Sequence, residues 1–167
     1  MGASLKLVDF VLFFFFFVIA VAAPLIDAQT CLPQSLFPVF LVDLKSWYRR
    51  QYGDYLIFEK PNWFVGLIWL ELLFQWPLSL INLVGILCAK PWFPTTCLIY
   101  GSSVLTSMTA ILAELMSSGR ASDSLKMMYY PFFGFGVLAV LRGLMSQPGK
   151  ATTSIGKRPL VGRKKRV

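Results

Sequence analysis

Four long apolar stretches dominate the chain, at about residues 10–26, 63–88, 97–116 and 127–145. A helix of roughly 20 apolar residues is long enough to cross the hydrocarbon core of a bilayer. The pattern therefore predicts an all-α, polytopic membrane protein: a bundle of four transmembrane helices. An even number of spans places both termini on the same side of the membrane.

The connection after the first span, residues 27–62, is polar but rich in aromatic side chains, as in the run WYRRQYGDYLIFEKP. Such a mixture is typical of a segment that packs against something, so we expect a short helical cap and not a flexible linker. We predict a membrane domain over residues 7–148. Residues 149–167 are predicted to form a basic, disordered tail.

The first span has a second interpretation. It follows Lys6, and the small residues Ala22 and Ala23 near its end resemble the cleavage region of a secretory signal peptide. Three further spans follow, which favours a retained first helix. Both interpretations stay open on the sequence alone.

Composition supports a membrane protein and narrows the chemistry. Hydrophobic residues make up 56% of the chain and charged residues 14%, against about a quarter charged in soluble domains. The chain has no histidine, and its three cysteines form no CxxC motif. We therefore predict no metal site and no cofactor. Small residues in the third span predict close helix packing, and Arg142, near the end of the fourth, is expected to reach the membrane surface.

The net charge of +8 is concentrated at one end of the chain. A run without acidic residues contains seven of the 16 basic residues: Lys150, Lys157, Arg158, Arg163, Lys164, Lys165 and Arg166. By the positive-inside tendency this tail is predicted to be cytosolic, together with the N-terminus. Next to a hydrophobic bundle, anionic lipid or a sorting receptor fits the tail better than nucleic acid, and we predict no nucleic-acid partner.

The heptapeptide ELLFQWP, residues 71–77, carries a carboxylate, an amide and a proline inside the second apolar span. Glu71 and Gln75 are four residues apart and share one face of a helix, which Asn82 continues. Pro77 lacks an amide hydrogen and leaves the carbonyl of Leu73 without its helical partner. Polar side chains beside an irregular membrane helix predict a cavity.

The carboxyl group of Glu71 is costly to ionise in hydrocarbon, so we expect it to be protonated, to share a proton or to hold a cation. Asp27 ends the first span and, if folded over the bundle, could form an acid pair with Glu71 that favours a ligand with one positive charge. The simpler alternatives are a helix-end role for Asp27, and interhelical hydrogen bonds from Glu71 and Gln75. Ser103, Thr106 or Ser107 would supply the partners for those bonds. Glu114, near the end of the third span, fits interfacial solvation.

Several motifs together resemble the EXPERA family of four-helix membrane proteins. They are LPQSLFPV at residues 32–39, WY at 47–48, the Asp54 region up to PNWF at 61–64, ELLFQWP, and IYG at 99–101 with the Ser/Thr run after it. The similarity covers about residues 7–148. It is greater to the receptor branch of the family than to its sterol isomerases.

The resemblance implies an intramembrane pocket in which Asp27 holds a ligand's ammonium and Glu71 orients Asp27 through a shared hydrogen bond. Gln75 belongs to the same site, Ser107 replaces a threonine, and Asp54 has a structural role. Tyr129 matches an aromatic position, whereas Phe132 replaces a pocket tyrosine, which affects ligand preference. Lys164 and Lys165 resemble a dilysine signal for return to the endoplasmic reticulum, and anionic lipid is the alternative partner of the tail.

The resemblance thus predicts an endoplasmic-reticulum protein that binds sterols and cationic amphiphiles and serves sterol homeostasis or trafficking. Its expected partners are that ligand, membrane lipid and a sterol-transport membrane protein, with a homodimer left open. We predict no enzymatic activity. The alternatives are a sterol double-bond isomerase, which would need an acid and a base such as Glu71 and Glu114, and a small assembly factor that binds another membrane protein.

Overall fold

The computed structural model describes residues 3–145, and within that range every regular element is a helix. Four segments are long and apolar enough to cross a membrane: Ser4–Thr30, Asn62–Leu87, Phe93–Ser117 and Asp123–Leu144. The predicted all-α bundle with four spans is therefore confirmed. The basic tail, including Lys164 and Lys165, lies outside the described residues.

The first span is helix α1, Ala3–Leu25, and it is an integral part of the bundle. Leu12, Phe15 and Phe16 are buried, whereas Phe10 and Phe14 on its other face are exposed, as expected for contact with lipid. The indole of Trp76 donates a hydrogen bond of 2.9 Å to the carbonyl of Ala20. These contacts favour a retained helix over a removable signal peptide.

The predicted helical cap follows α1 and is more extensive than the sequence indicated. It contains two 3₁₀ turns, Asp27–Thr30 and Gln34–Leu36, and the helices α2, Val39–Tyr52, and α3, Tyr55–Glu59. The Gln29 amide links the first turn to α2 by donating to the carbonyl of Leu41 at 3.3 Å. This connection holds α2 against the end of α1.

The second span contains the irregularity that Pro77 predicts. Helix α4, Asn62–Leu70, passes into a π-helical turn, Glu71–Gln75, before α5, Trp76–Leu87. The amide of Trp76 bonds the carbonyl of Glu71, five residues earlier. Because Pro77 has no amide hydrogen to donate to the carbonyl of Leu73, the series of backbone hydrogen bonds in this helix is already interrupted within the same turn. The wider turn inserts an extra residue into the helix, as is frequent at functional sites.

The last two spans, α6, Phe93–Ser117, and α7, Asp123–Leu144, pack closely against each other. A Cβ atom on Gly101 would lie 2.7 Å from the backbone nitrogen of Val140. Only glycine allows this approach, which agrees with the packing predicted from the small residues of this span.

Arg142 differs from the sequence expectation. It is buried, at 7% exposure, and its guanidinium donates to Asp9 at 2.5 and 3.1 Å. The side chain is turned into the protein, because the first helix supplies a carboxylate for it; its position relative to the membrane surface stays a prediction. The pair also places the start of α1 and the end of α7 at one end of the bundle, as four spans require.

Candidate functional site

A cavity of about 240 Å³ lies between the two hydrophobic clusters of the bundle. One cluster, around Phe16 and Tyr100, joins α1, α6 and α7; the other, around Leu56 and Leu115, joins α3, α4, α6 and α7. The cavity is lined by all six residues for which the sequence predicted ligand contact: Asp27, Glu71, Gln75, Ser107, Tyr129 and Phe132. Their contact with a ligand stays a prediction.

Asp27 and Glu71 reach the cavity from different elements. Asp27 begins the 3₁₀ turn after α1, and Glu71 begins the π-helical turn. The two carboxyl groups lie close enough for their charges to interact. Among residues 3–145 no hydrogen bond links them, and neither side chain receives one from another protein group. Both side chains are half-buried, and both line the cavity without a protein hydrogen-bond donor.

Gln75 has the interhelical role that the simpler alternative proposed. Its Nε2 donates to Ser103 Oγ at 3.0 Å and to Ser107 Oγ at 3.2 Å. Gln75 is 5% exposed and lines the cavity as well, so the amide is held firmly in place. Ser107 thereby supports Gln75 in addition to lining the cavity.

Asp54 lies behind the cavity wall and is fully buried. Its Oδ1 accepts from the amides of Leu56 and Ile57 at 3.1 and 3.2 Å, as an N-cap of α3, and its Oδ2 accepts from the Tyr129 hydroxyl at 2.8 Å. An N-cap carboxylate satisfies amides that a helix start leaves unpaired. Asp54 therefore fixes both α3 and the ring of Tyr129, which lines the cavity.

Lys45 is a cavity residue that the sequence reasoning missed. It is 8% exposed, and its Nζ donates to the Ile26 carbonyl at 2.9 Å and to Thr30 Oγ1 at 2.6 Å. Burial lowers the pKa of Lys45 to about 8, although the negative charge of Asp27 opposes the shift. The sequence could have indicated this position. Leu41 and Lys45 are four residues apart and therefore lie on the same face of α2, and an apolar residue on that face suggests that it is the inner one.

Tyr48, on the same face of α2, also lines the cavity. Burial raises the pKa of its phenol, and the nearby carboxylate of Asp54 adds to the effect. Tyr48 is consequently neutral and can both donate and accept a hydrogen bond. The remaining wall is largely apolar and includes Phe64, Met108 and Phe132.

Glu114 does not line the cavity. Its Oε1 accepts a hydrogen bond of 3.2 Å from the Tyr55 hydroxyl, which also contacts Ser118 Oγ at 2.9 Å. The expected interfacial solvation is thus supplemented by a protein partner. The isomerase hypothesis would require Glu71 and Glu114 to act as an acid–base pair in one cavity. Glu71 lines the cavity and Glu114 does not.

The arrangement suits a mostly apolar guest with one polar end. Carboxyl, amide, hydroxyl and ammonium groups converge at one region of an otherwise apolar space, which is the usual design of a small-molecule site. In the described part of the chain no group of three or more histidine, cysteine, aspartate or glutamate side chains could hold a metal ion.

Comparison with known proteins gives one family. A sequence model described as EXPERA (EXPanded EBP superfamily) matches residues 40–145, which is more than half of the chain. The matched region includes every cavity residue discussed above except Ile26, Asp27 and Thr30.

Similar curated proteins carry the name Sigma intracellular receptor 2. The protein from Xenopus tropicalis is 28% identical over 117 residues, which cover 70% of this chain and 68% of that protein. Those from Homo sapiens and Macaca fascicularis are 33% identical over 91 residues, 54% of this chain and about half, 52%, of their own length.

Proposed function

Because the chain belongs to the EXPERA family, we propose that it binds sterols and cationic amphiphiles in the cavity between its membrane helices and serves sterol homeostasis or trafficking. The observation that carries this proposal is the pair of carboxyl groups, Asp27 and Glu71, that face an apolar cavity without a protein donor. A polar group in such surroundings is costly unless something pairs with it. A guest with a hydroxyl or an ammonium would supply that partner.

In the proposed complex the apolar body of the guest contacts Phe64, Met108 and Phe132, while its polar end meets Asp27 and Glu71. Gln75 is held by two hydrogen bonds to α6 and leaves its amide oxygen for a hydroxyl donor. The volume of about 240 Å³ is below the usual range of about 300–1,000 Å³ for small-molecule pockets. We therefore expect only part of a sterol to be enclosed.

Binding of tritiated cholesterol to protein purified in lipid nanodiscs tests this proposal. We expect Asp27→Asn and Glu71→Gln each to weaken binding on the order of tenfold, because hydrogen bonds to charged groups are worth about 1.5–3 kcal/mol. Glu114→Gln is the matched control, since it makes the same chemical change outside the cavity. Undiminished binding in both Asp27→Asn and Glu71→Gln would exclude the site.

We propose a binding role and not sterol isomerisation, since Glu114 contacts Tyr55 instead of the cavity. The relatives' name, a receptor, is in keeping with this choice. Conversion of a Δ8 to a Δ7 sterol in a yeast strain without its own isomerase tests the alternative. Robust rescue by this chain would overturn the non-enzymatic proposal.

For the location of the protein we propose the endoplasmic-reticulum membrane with both termini in the cytosol, and a sterol-transport membrane protein as partner. Support comes from the basic charge of residues 150–166 and from the pairing of Asp9 with Arg142, which keeps the two ends of the bundle together. Protease protection of a tag at either terminus in sealed microsomes tests the orientation. Protection of both tags would reverse it.

A further inference from the structure

Among the described residues, 3–145, Lys45 is the only cation that lines the cavity, and contacts with the turn after α1 hold it in place. Two of the three hydrogen atoms of its ammonium are directed to Ile26 O and Thr30 Oγ1, at 2.9 and 2.6 Å. These acceptors flank Asp27 in the chain, and the charges of Lys45 and Asp27 attract each other. One ammonium hydrogen remains for a carboxyl group or a guest.

The charges in the cavity are therefore already close to balance. Its ionisable lining consists of the carboxyl groups of Asp27 and Glu71, the ammonium of Lys45 and two phenols. Two neighbouring carboxyl groups in an apolar site tend to share one proton, which leaves a single negative charge. Lys45 neutralises that charge, so an ammonium guest would place a second positive charge beside it.

A neutral hydroxyl meets no such repulsion. It can donate to a carboxylate oxygen and accept from the remaining hydrogen of the Lys45 ammonium, so both polar partners are satisfied at once. A cationic guest is attracted by the carboxylate but repelled by the lysine. Both forces are strong because the dielectric constant of the site is low.

We infer that Lys45 is a built-in counter-ion that makes this cavity prefer neutral, hydroxyl-bearing lipids over cationic amphiphiles. The inference rests on the proposed function and adds the order of preference among its ligands. It assigns the preference to one side chain of α2 and not to the membrane-spanning helices.

The first test compares two probes on the full chain in lipid nanodiscs: tritiated cholesterol and benzyldimethyldodecylammonium, whose charge is fixed. We expect Lys45→Met to tighten binding of the ammonium probe on the order of tenfold, because a like charge is removed at short range. Cholesterol affinity should fall, because methionine cannot donate a hydrogen bond to the hydroxyl group. Lys45→Arg keeps the charge and should behave as the parent protein, as should Lys90→Met, which removes an exposed charge elsewhere.

The second test varies pH. Burial lowers the pKa of Lys45 to about 8, so affinity for the ammonium probe should rise between pH 7 and pH 9 in the parent protein as the lysine loses its proton. The rise should be absent in Lys45→Met. The other ionisable groups around this position, which the lysine variant leaves in place, are Asp27, Cys31, Tyr48, Asp54, Lys60 and Glu71.

The outcomes separate the two proposals. If cholesterol binds but Lys45→Met leaves the affinity for the ammonium probe unchanged, or tightens both probes equally, the inference fails and the proposed function stands. If the parent protein binds neither probe, both fail. If the affinity of Lys45→Met for the ammonium probe still rises with pH, the assignment to Lys45 is also overturned, since another ionisable group would then determine that affinity.

Discussion

The buried ion pair between Asp9 and Arg142 makes a quantitative prediction about the bundle. Its side chains are 13% and 8% exposed, and the guanidinium also lies over the ring of Phe93, 5.1 Å from the centroid. Arg142→Met removes both donors from a carboxylate that has little access to water. Breaking a buried pair from one side costs about 3–5 kcal/mol. For a chain of this size the melting temperature should fall by roughly 10 °C.

The assay is thermal unfolding of protein purified in detergent, followed by fluorescence-detected size exclusion. Arg120→Met is the matched control, because Arg120 forms an ion pair with Glu59 in which both side chains are about half exposed. Exposed pairs contribute little to stability, because water and salt screen their charges. We therefore expect little change in the control.

The double variant Asp9→Leu, Arg142→Met carries the decisive measurement. Replacing a buried pair by apolar residues of similar volume is often neutral or stabilising, so the double variant should recover most of the stability that Arg142→Met loses. If it is as unstable as the single variant, the loss comes from packing and not from an unpaired charge. Equal losses in Arg142→Met and Arg120→Met would contradict the reasoning as well.

Three further substitutions test the packing and the site. Gly101→Ala places a Cβ atom 2.7 Å from the Val140 nitrogen and should destabilise the bundle by about 1–3 kcal/mol, seen as a lower melting temperature. Asp54→Ala removes an N-cap worth about 0.5–2 kcal/mol; hydrogen exchange should accelerate in α3, and unchanged exchange would contradict the capping role. Gln75→Leu should cost about 1 kcal/mol or less in stability but weaken cholesterol binding in the nanodisc assay; unaltered binding would leave Gln75 with only its interhelical role.

The features that the sequence predicts correctly are those that depend on local spacing. Span positions follow from runs of apolar residues, and the shared face of Glu71 and Gln75 follows from the helical repeat. Pro77 correctly predicted an irregular turn near Leu73, because the carbonyl of that residue has no amide hydrogen of Pro77 to accept. The sequence could not show that the irregularity is a π-helical turn, since several backbone solutions satisfy the same missing hydrogen bond.

The features that the sequence missed depend on contacts between distant segments. Asp9 and Arg142 are 133 positions apart, so nothing near Arg142 in the chain reveals its partner. In the sequence, Lys45 is an ordinary charged residue of a polar helix. Its role is visible only in the contacts between α2 and the turn that contains Asp27. Family resemblance drew attention to the acids of the cavity, whereas the lysine emerges only from the packing of the cap.

The cavity thus combines two elements with different constraints. Its carboxyl group at position 71 comes from the π-helical turn of a membrane span, where a change would also alter the packing of that span. Its ammonium comes from α2, which lies outside the four spans. A substitution at position 45 changes the charge of the cavity while the contacts between membrane-spanning helices stay in place. The charge preference for ligands and the stability of the bundle are therefore set by different parts of the chain.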